Sequence, residues 1–315
     1  MAFPSWCRSR RRPAGPVALV LGLGFFAGCH TVPPAPVSRT GDEIVVAGKY
    51  FHTGTRIVIW TDPGGYNAYQ DAPPSPPRPA LRPGGPGGGA PTAAQELAML
   101  QGAVDQFVLH YDGCGLSQIC FQTLVGRGLK VHFLLDLDGT VYQTLDLRER
   151  AAHATTSNDR SIGVEIANIG AFAPGDSKML DEWYHRDRQG RPYVRIPAAA
   201  GAPRFFTPGF VARPARDELI RGVVQDRPLA QYDFTPEQYA ALIRLTAALC
   251  TVFPRIKPEV PRTAAGRFVT HQLPAEALAQ YQGILGHWHI QANKTDPGPA
   301  FQWERLLAGV RRLVK

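Results

Sequence analysis

The chain has 315 residues, 44% of them hydrophobic, which allows one large or two small globular domains with a sizeable core. The formal charge is +8, but four of the 34 basic residues are arginines that precede residue 29, where no acidic residue occurs, so the remainder carries +4. That remainder has no basic stripe of the kind that binds nucleic acid, and we expect no nucleic-acid partner.

The N-terminus has the pattern of an export signal. Arginines up to Arg12 precede an apolar run over residues 17–26, which is too short to span a bilayer comfortably. The run leads to the sequence FAGC, which resembles a lipoprotein cleavage box with Cys29 as the lipidated residue. We therefore predict a lipoprotein signal peptide over residues 1–28 and a proline-rich tether over 29–45. The lipid would anchor the protein in a membrane, facing the periplasm and most simply at the outer membrane; ordinary secretion with cleavage at small residues is the alternative.

The next segments predict two hairpins and a loop. Residues 43–62 alternate in polarity as a β-hairpin does, with a turn around Thr53. Residues 71–91 are so dense in proline and glycine that we expect a disordered loop that contributes nothing to the core. A second hairpin is predicted over 131–145, because Asp138-Gly139 is a typical tight turn.

Helical signals alternate with these strands. Thr235 can cap a helix, Pro236 suits its first position and Gln238 completes a capping box. A last helix is expected from about Phe301. Strands mixed with helices predict an α/β fold with a central mixed β-sheet flanked by helices, in one domain over residues 46–315.

Two short apolar strands are predicted, and each contains one residue that could bind a metal or transfer a proton. Residues 106–112 form one predicted strand, with His110 near its end. In the other, residues 161–168, the aliphatic side chains share one face and Glu165 lies on the opposite face. A lone carboxylate in such a strand is costly to bury without a partner, and a metal site would supply one.

A third segment near the C-terminus reads GHWHI and is followed by KTDPGP. Lys294 and Asp296 are two residues apart, so in an extended chain they point to the same side, and Pro297 favours that extended conformation for Asp296. Catalytic zinc takes three protein ligands and leaves a fourth position open, and His110, His287 and Asp296 make such a set.

The order of these motifs resembles the zinc-dependent N-acetylmuramoyl-L-alanine amidases of type 2, which share a fold with the peptidoglycan recognition proteins. The similarity lies in FVLHY, VHFLLDLDGTVYQ, AAHA, NDRSIGVEIAN and GHWHI…KTDPGPAFQW, and covers roughly residues 100–170 and 232–308. It implies one Zn²⁺ ion held by His110, His287 and Asp296, with Glu165 as the catalytic carboxylate and Lys294 as the catalytic lysine.

The resemblance also implies a reaction: hydrolysis of the amide between the lactyl group of N-acetylmuramic acid and the L-alanine of the stem peptide, in cell-wall turnover or recycling. The substrate would be peptidoglycan or a muropeptide, and we expect a monomer. Weaker substrate contacts are implied at His153 and Asn168. A disulfide between Cys114 and Cys120 is implied as well, with two reduced thiols packed under a helix as the alternative.

The sequence departs from the family pattern in two places. His289 stands where an acidic residue is common, although the motif still selects His287 as the ligand. An insertion over residues 171–231 interrupts the run after the Glu165 strand. Its aromatic residues and arginines could line a groove for glycan and peptide, or the segment could be a lid packed on its own aromatics.

Two other classes of protein compete with the amidase interpretation. A non-catalytic peptidoglycan receptor on the same fold typically lacks the third metal ligand, which Asp296 supplies here. A zinc peptidase acting on the stem peptide is disfavoured because the chain has no HExxH motif.

Overall fold

The central sheet of the protein is mixed, and four neighbouring strands in it run parallel and end at the same edge. The computed structural model describes residues 39–81, 91–203 and 205–314. The predicted signal peptide, Cys29 and the tether as far as residue 38 lie outside the described residues. Within those three ranges, no helix combines the length and apolar character needed to cross a bilayer.

The strands are numbered in chain order. They are β1 (Glu43–Val46), β2 (Lys49–His52), β3 (Ile57–Ile59), β4 (Gln106–Tyr111), β5 (Phe133–Leu135), β6 (Val141–Gln143), β7 (Ser161–Ile166), β8 (Tyr184–Arg186), β9 (Pro192–Val194), β10 (Ile220–Val224), β11 (Arg227–Gln231) and β12 (Gly283–Gly286).

The α-helices are numbered in the same way. They are α1 (Ala68–Asp71), α2 (Ala93–Ala103), α3 (Ser117–Gly126), α4 (Lys178–Trp183), α5 (Pro236–Val252), α6 (Ala275–Gln280) and α7 (Trp303–Leu313).

Six strands form the mixed central sheet in the order β12-β4-β7-β5-β6-β3. The first four are parallel neighbours, β5 and β6 form the predicted antiparallel hairpin, and β3 lies parallel to β6 at the edge. Helices α2, α5 and α7 bury apolar side chains in the cluster on one face, and α3 packs on the other face. The predicted α/β fold with a central mixed sheet flanked by helices is therefore confirmed.

Helix α5 begins where its sequence predicts. The Thr235 side chain accepts a hydrogen bond from the backbone N–H of Gln238 at 3.0 Å, and the Gln238 side chain accepts from the backbone N–H of Thr235 at 2.9 Å. The Phe234 ring packs edge-on against Tyr239, with centroids 6.1 Å apart. The cap and this contact fix the start of the helix, and such a cap alone contributes about 1 kcal/mol of stability.

The first hairpin turns earlier than predicted. Strands β1 and β2 pair through a turn at Ala47 and Gly48, whose φ angles of 50° and 72° are the two positive values that a two-residue hairpin loop requires. The chain after Thr53 then leaves the hairpin and enters β3 of the central sheet. The buried strand β1 also begins at Glu43, inside the segment assigned to the tether.

The proline-rich segment contacts the fold at a few residues along the part that the structure describes. Residues 79–81 form a short 3₁₀ helix, and Leu81 packs against the main core. The Arg78 side chain is completely buried. Arg78 and Leu81 join this segment to the fold through contacts that composition does not reveal, while residues 82–90 lie outside the described residues and the expected disorder stays a prediction.

The insertion over residues 171–231 packs both on its own side chains and on those of the main fold. It contributes α4 and two antiparallel hairpins, β8–β9 and β10–β11. Tyr184 stacks on Tyr232 with centroids 4.3 Å apart, and Phe205 meets Phe210 edge-on at 5.4 Å. The Phe205–Phe210 contact lies within the insertion, whereas Tyr232 lies just outside it, so both roles considered for this segment stay predictions.

A buried histidine makes the fold sensitive to acid. Burial and the nearby Arg78 guanidinium lower the pKa of His132 to about 3. An unfolded chain would protonate this imidazole below its ordinary pKa of 6.5, whereas the folded protein does so only below about 3. The unfolded state therefore binds more protons between these values, and stability falls as the pH is lowered through this window.

We expect His132→Asn to reduce that dependence. An asparagine oxygen can still accept the 3.1 Å hydrogen bond that the Gly163 N–H donates to Nδ1 of His132. The free energy of unfolding is measured by urea titration of the metal-free protein between pH 6 and pH 4. Its slope against pH should be smaller in the variant than in the wild type, by up to about 1.4 kcal/mol per pH unit. Equal slopes for the two proteins would show that His132 is not held neutral in the fold.

Candidate metal centre and active-site pocket

The candidate site lies at the carboxyl ends of three adjacent parallel strands. His110 is the second-last residue of β4 and lies directly opposite Glu165 of β7. On the other side of β4, Leu109 is opposite Gly286, the final residue of β12, so His287 follows at the same edge. Parallel strands end together, which is why residues so distant in sequence meet here.

Three potential metal ligands converge in this place. Nδ1 of His110 lies 2.8 Å from Oδ2 of Asp296 and 3.0 Å from Nδ1 of His287, and the same Asp296 oxygen lies 3.0 Å from Nδ1 of His287. All three residues are buried. Tetrahedral zinc with ligand distances near 2.1 Å separates its ligand atoms by about 3.4 Å, so the observed triangle must expand by a few tenths of an ångström to hold the ion.

The charge states of this group suit a cation. Burial and the neighbouring His287 imidazole lower the pKa of His110 to about 4, so its ring is neutral at pH 7. Burial alone would raise the pKa of Asp296, but the neighbouring His287 and His110 imidazoles lower it well below its usual range. A neutral imidazole and an ionised carboxylate are the forms that ligate metals.

Hydrogen bonds at the far side of each ring orient it. Nε2 of His287 lies 2.7 Å from Oε1 of Gln291, which can only accept, so this nitrogen carries the proton and Nδ1 keeps its lone pair for the centre. Nε2 of His110 lies 3.1 Å from Nδ1 of His153, and Nε2 of His153 lies 3.2 Å from Oγ of Ser161. Such outer partners are typical of metal-binding histidines.

The loop that carries Asp296 is held against the end of β12. A Cβ on Gly286 would lie 2.8 Å from Cδ of Pro297, so the glycine permits this close approach. The backbone N–H of Trp288 donates to the carbonyl of Asp296 at 3.3 Å. The Tyr111 hydroxyl lies 2.7 Å from the Thr295 hydroxyl and ties the loop to β4 as well.

A pocket of about 640 Å³ opens over the three ligands. Glu165 and Lys294 line it together with Arg127 at the end of α3. Burial raises the pKa of Glu165 well above its ordinary value, and the negative charges of Asp296 and Asp112 act in the same direction. The pocket is therefore lined by a carboxyl group that gains a proton easily and by two basic side chains.

Other predicted site residues occupy distinct places. His153 lines the pocket and also contacts His110, as described above. Asn168 is 3% exposed, and its amide donates to the carbonyl of Tyr232 and accepts from the backbone N–H of Gly170. It does not belong to the pocket lining, so a substrate contact by Asn168 stays a prediction that these internal bonds do not support.

The second histidine of the GHWHI motif, His289, forms hydrogen bonds within the fold. His289 is completely buried, accepts from the backbone N–H of Gly286 at 2.9 Å and lies 2.8 Å from the carbonyl of Val269. The ligand group contains His287, in agreement with the choice made from the motif. Cys114 and Cys120 are both buried in the pocket wall, and the disulfide between them stays a prediction.

Sequence reasoning missed two residues that orient the ligands. Gln291 follows His287 by four residues, a spacing that a short helical turn brings together, so this partner had a local signal. Ser161 begins β7 and reaches His153 through tertiary packing, for which the sequence carries no pattern.

One comparison with known proteins identifies a family for this chain. The family profile described as N-acetylmuramoyl-L-alanine amidase matches residues 100–299, which hold the three ligands, Glu165 and Lys294. A comparison with curated proteins finds no significant match.

Similar solved structures include a selenomethionine derivative of AmpD, with 19% identity, a TM-score of 0.33 and coverage of 68% of this chain and 87% of that one. Another is the N-acetylmuramoyl-L-alanine amidase LysC from Clostridium intestinale URNW, with 14% identity, a TM-score of 0.33 and coverage of 67% and 88%. The assignment rests on the profile match, which spans more than half of the sequence. The chain belongs to the type 2 family of N-acetylmuramoyl-L-alanine amidases, hydrolases that act on peptidoglycan.

Proposed function

We propose that this protein is a zinc-dependent N-acetylmuramoyl-L-alanine amidase that cleaves between the lactyl group of N-acetylmuramic acid and the L-alanine of the stem peptide, in cell-wall turnover or recycling. The observation that carries the proposal is the convergence of Nδ1 of His110, Nδ1 of His287 and Oδ2 of Asp296 within 3.0 Å of one another. Glu165 lines the pocket above them.

The three ligands would hold one zinc ion, which supplies a Lewis acid for the scissile carbonyl and lowers the pKa of water to roughly 7. Glu165 accepts the proton of the attacking water and delivers it to the departing amine of L-alanine. Its raised pKa suits this double role, because a carboxyl group that binds a proton readily can hold it between the two steps.

Lys294 supplies positive charge to the same pocket. It lies two residues before Asp296, is partly buried and lines the pocket with Glu165. Its ammonium group is suited to stabilise the negative charge that develops on the carbonyl oxygen, a contribution of about 3 kcal/mol in comparable sites.

Digestion of purified sacculi tests this function. We expect free stem peptides beginning with L-alanine, identified by mass spectrometry, and their loss on treatment with a chelator. Shortened peptides still attached to glycan would indicate a peptidase. Binding without any product would indicate a receptor, which the presence of the third ligand Asp296 disfavours.

We also propose that the protein is exported and anchored to a membrane, facing the periplasm, by a lipid on Cys29. The support is the arginine-rich start, the short apolar run and the FAGC sequence. Mass spectrometry of the mature N-terminus tests the proposal: a diacylated Cys29 is expected, and an unmodified N-terminus at a different residue would contradict it.

A further inference from the structure

Arg78 connects a segment outside the family match to the metal centre. The match begins at residue 100, and Arg78 lies in the proline-rich segment before it. Its guanidinium is nevertheless completely buried. We propose that Arg78 is a positioning residue for the metal centre, which acts through Asn158 and Ser161 on His153 and so on the ligand His110.

The guanidinium holds backbone carbonyls of the site. Nη2 donates to the carbonyl of Ser161 at 2.9 Å, and Nη1 donates to the carbonyls of Asn158 at 3.3 Å and Asp159 at 3.2 Å. Nε donates to the carbonyl of Leu147 at 3.3 Å. The planar fork of arginine thus holds the end of one loop and the start of β7 at a constant separation.

Asn158 and Ser161, whose carbonyls Arg78 binds, also contact His153 through their side chains. Oδ1 of Asn158 accepts from the backbone N–H groups of His153 at 3.0 Å and Ala154 at 2.6 Å. Oγ of Ser161 lies 3.2 Å from Nε2 of His153. A shift of either backbone would therefore move the imidazole that contacts His110.

The His153 ring has little freedom to compensate. A Cβ on Gly163 would lie 2.5 Å from Nδ1 of His153, so β7 packs directly against the ring. The position of the ring is also limited by the 3.1 Å contact between Nδ1 of His153 and Nε2 of His110. The proton on Nε2 of His110 is held by this contact, which leaves Nδ1 for the metal.

Stability alone is a poor explanation for this arginine. Among the ion pairs of the described residues, none includes Arg78. Burial lowers the pKa of Arg78 to about 10, which reflects the cost of placing its charge away from water. A buried cation without a carboxylate partner costs stability, so its retention here is better explained by the arrangement that it imposes.

The test is the zinc affinity of folded variants, measured by competition with a chromophoric chelator; it rests on the proposed zinc dependence. We expect Arg78→Met to bind zinc about 10-fold more weakly, the lower range for loss of an outer partner of a metal ligand. Arg78→Lys should give an intermediate loss, because one ammonium group cannot reach all four carbonyls. Arg39→Met is the matched control, since Arg39 also precedes the family match but pairs with Asp62 and Glu43.

A double-mutant cycle separates positioning from a general loss of structure. In a His153→Ala background, Arg78→Met should change the zinc affinity by less than about 2-fold, because the residue through which Arg78 acts is gone. Independent, multiplying effects of the two changes, or an unchanged affinity in folded Arg78→Met, would overturn the proposal. If Arg78→Met does not fold, Arg78→Lys takes its place in the cycle with the same expected outcomes.

Failure of the proposed function gives a different result. A wild-type protein that binds zinc but releases no stem peptides would refute the amidase assignment, while the affinity cycle would still decide the role of Arg78.

Discussion

Replacing Glu165 by Gln is expected to lower kcat by about 10³-fold while one zinc ion stays bound, within the range for removing a general acid and base. The amide keeps the size of the side chain but can neither accept the proton of the attacking water nor deliver one to the amine. Glu165 is not a member of the group of three ligands, so the metal should be retained.

The stability of Glu165→Gln provides an internal control. Burial raises the pKa of Glu165, so above its unfolded-state value the ionised form opposes folding, and the neutral amide removes that opposition. The thermal midpoint of the metal-free variant at pH 7 should therefore equal or exceed that of the wild type. Glu96→Gln, on α2 and outside the pocket, controls for the loss of one carboxylate and should keep full turnover.

The measurements are steady-state release of stem peptides and zinc content by atomic absorption. A variant that lost its zinc would show that Glu165 is a ligand rather than the proton carrier. Turnover within 10-fold of the wild type would assign the proton transfers to another group.

Replacing Asp296 by Asn has a different expected effect: the metal itself is lost. Structural zinc sites bind with about 10–16 kcal/mol shared among four ligands, so one ligand contributes roughly 3 kcal/mol and its loss weakens binding by about 10²-fold or more. The amide oxygen keeps the shape of the side chain but removes the charge that balances the cation next to His110 and His287.

Zinc affinity and activity should fall together in Asp296→Asn, and excess zinc should restore part of the activity. Asp176→Asn, an exposed residue of the insertion, is the matched control and should behave as the wild type. An Asp296→Asn protein that still binds zinc as tightly as the wild type would remove Asp296 from the ligand set.

Much of the fold can be predicted from the sequence because the patterns that indicate its turns, helix caps and strands are local. The turn at Asp138-Gly139, the capping box at Thr235 and the one-sided apolar pattern around Glu165 each depend on residues a few positions apart, and each appears where expected. The turn of the first hairpin is predicted around Thr53 rather than at Ala47, because a positive φ is unusual for a residue with a side chain.

Some residues of the candidate site can likewise be predicted from the sequence, whereas others cannot. The three ligands, Glu165 and Lys294 stand in motifs that family resemblance recognises, and the profile match covers all of them. The partners that orient the ligands were less visible, because His153, Ser161 and Arg78 reach one another only across strand and loop contacts.

The amino-acid sequence by itself determined the class of the fold and the chemistry available to the site, and the family resemblance predicts His287 rather than His289 as the ligand. Tertiary structure alone decided that β12, β4 and β7 end side by side, which brings residues 177 and 186 positions apart in the chain into direct contact. It also decided that a proline-rich segment would bury an arginine against that site. The reason is physical: caps, turns and strand alternation are short-range, whereas strand order and buried hydrogen bonds depend on which surfaces meet once the core has packed.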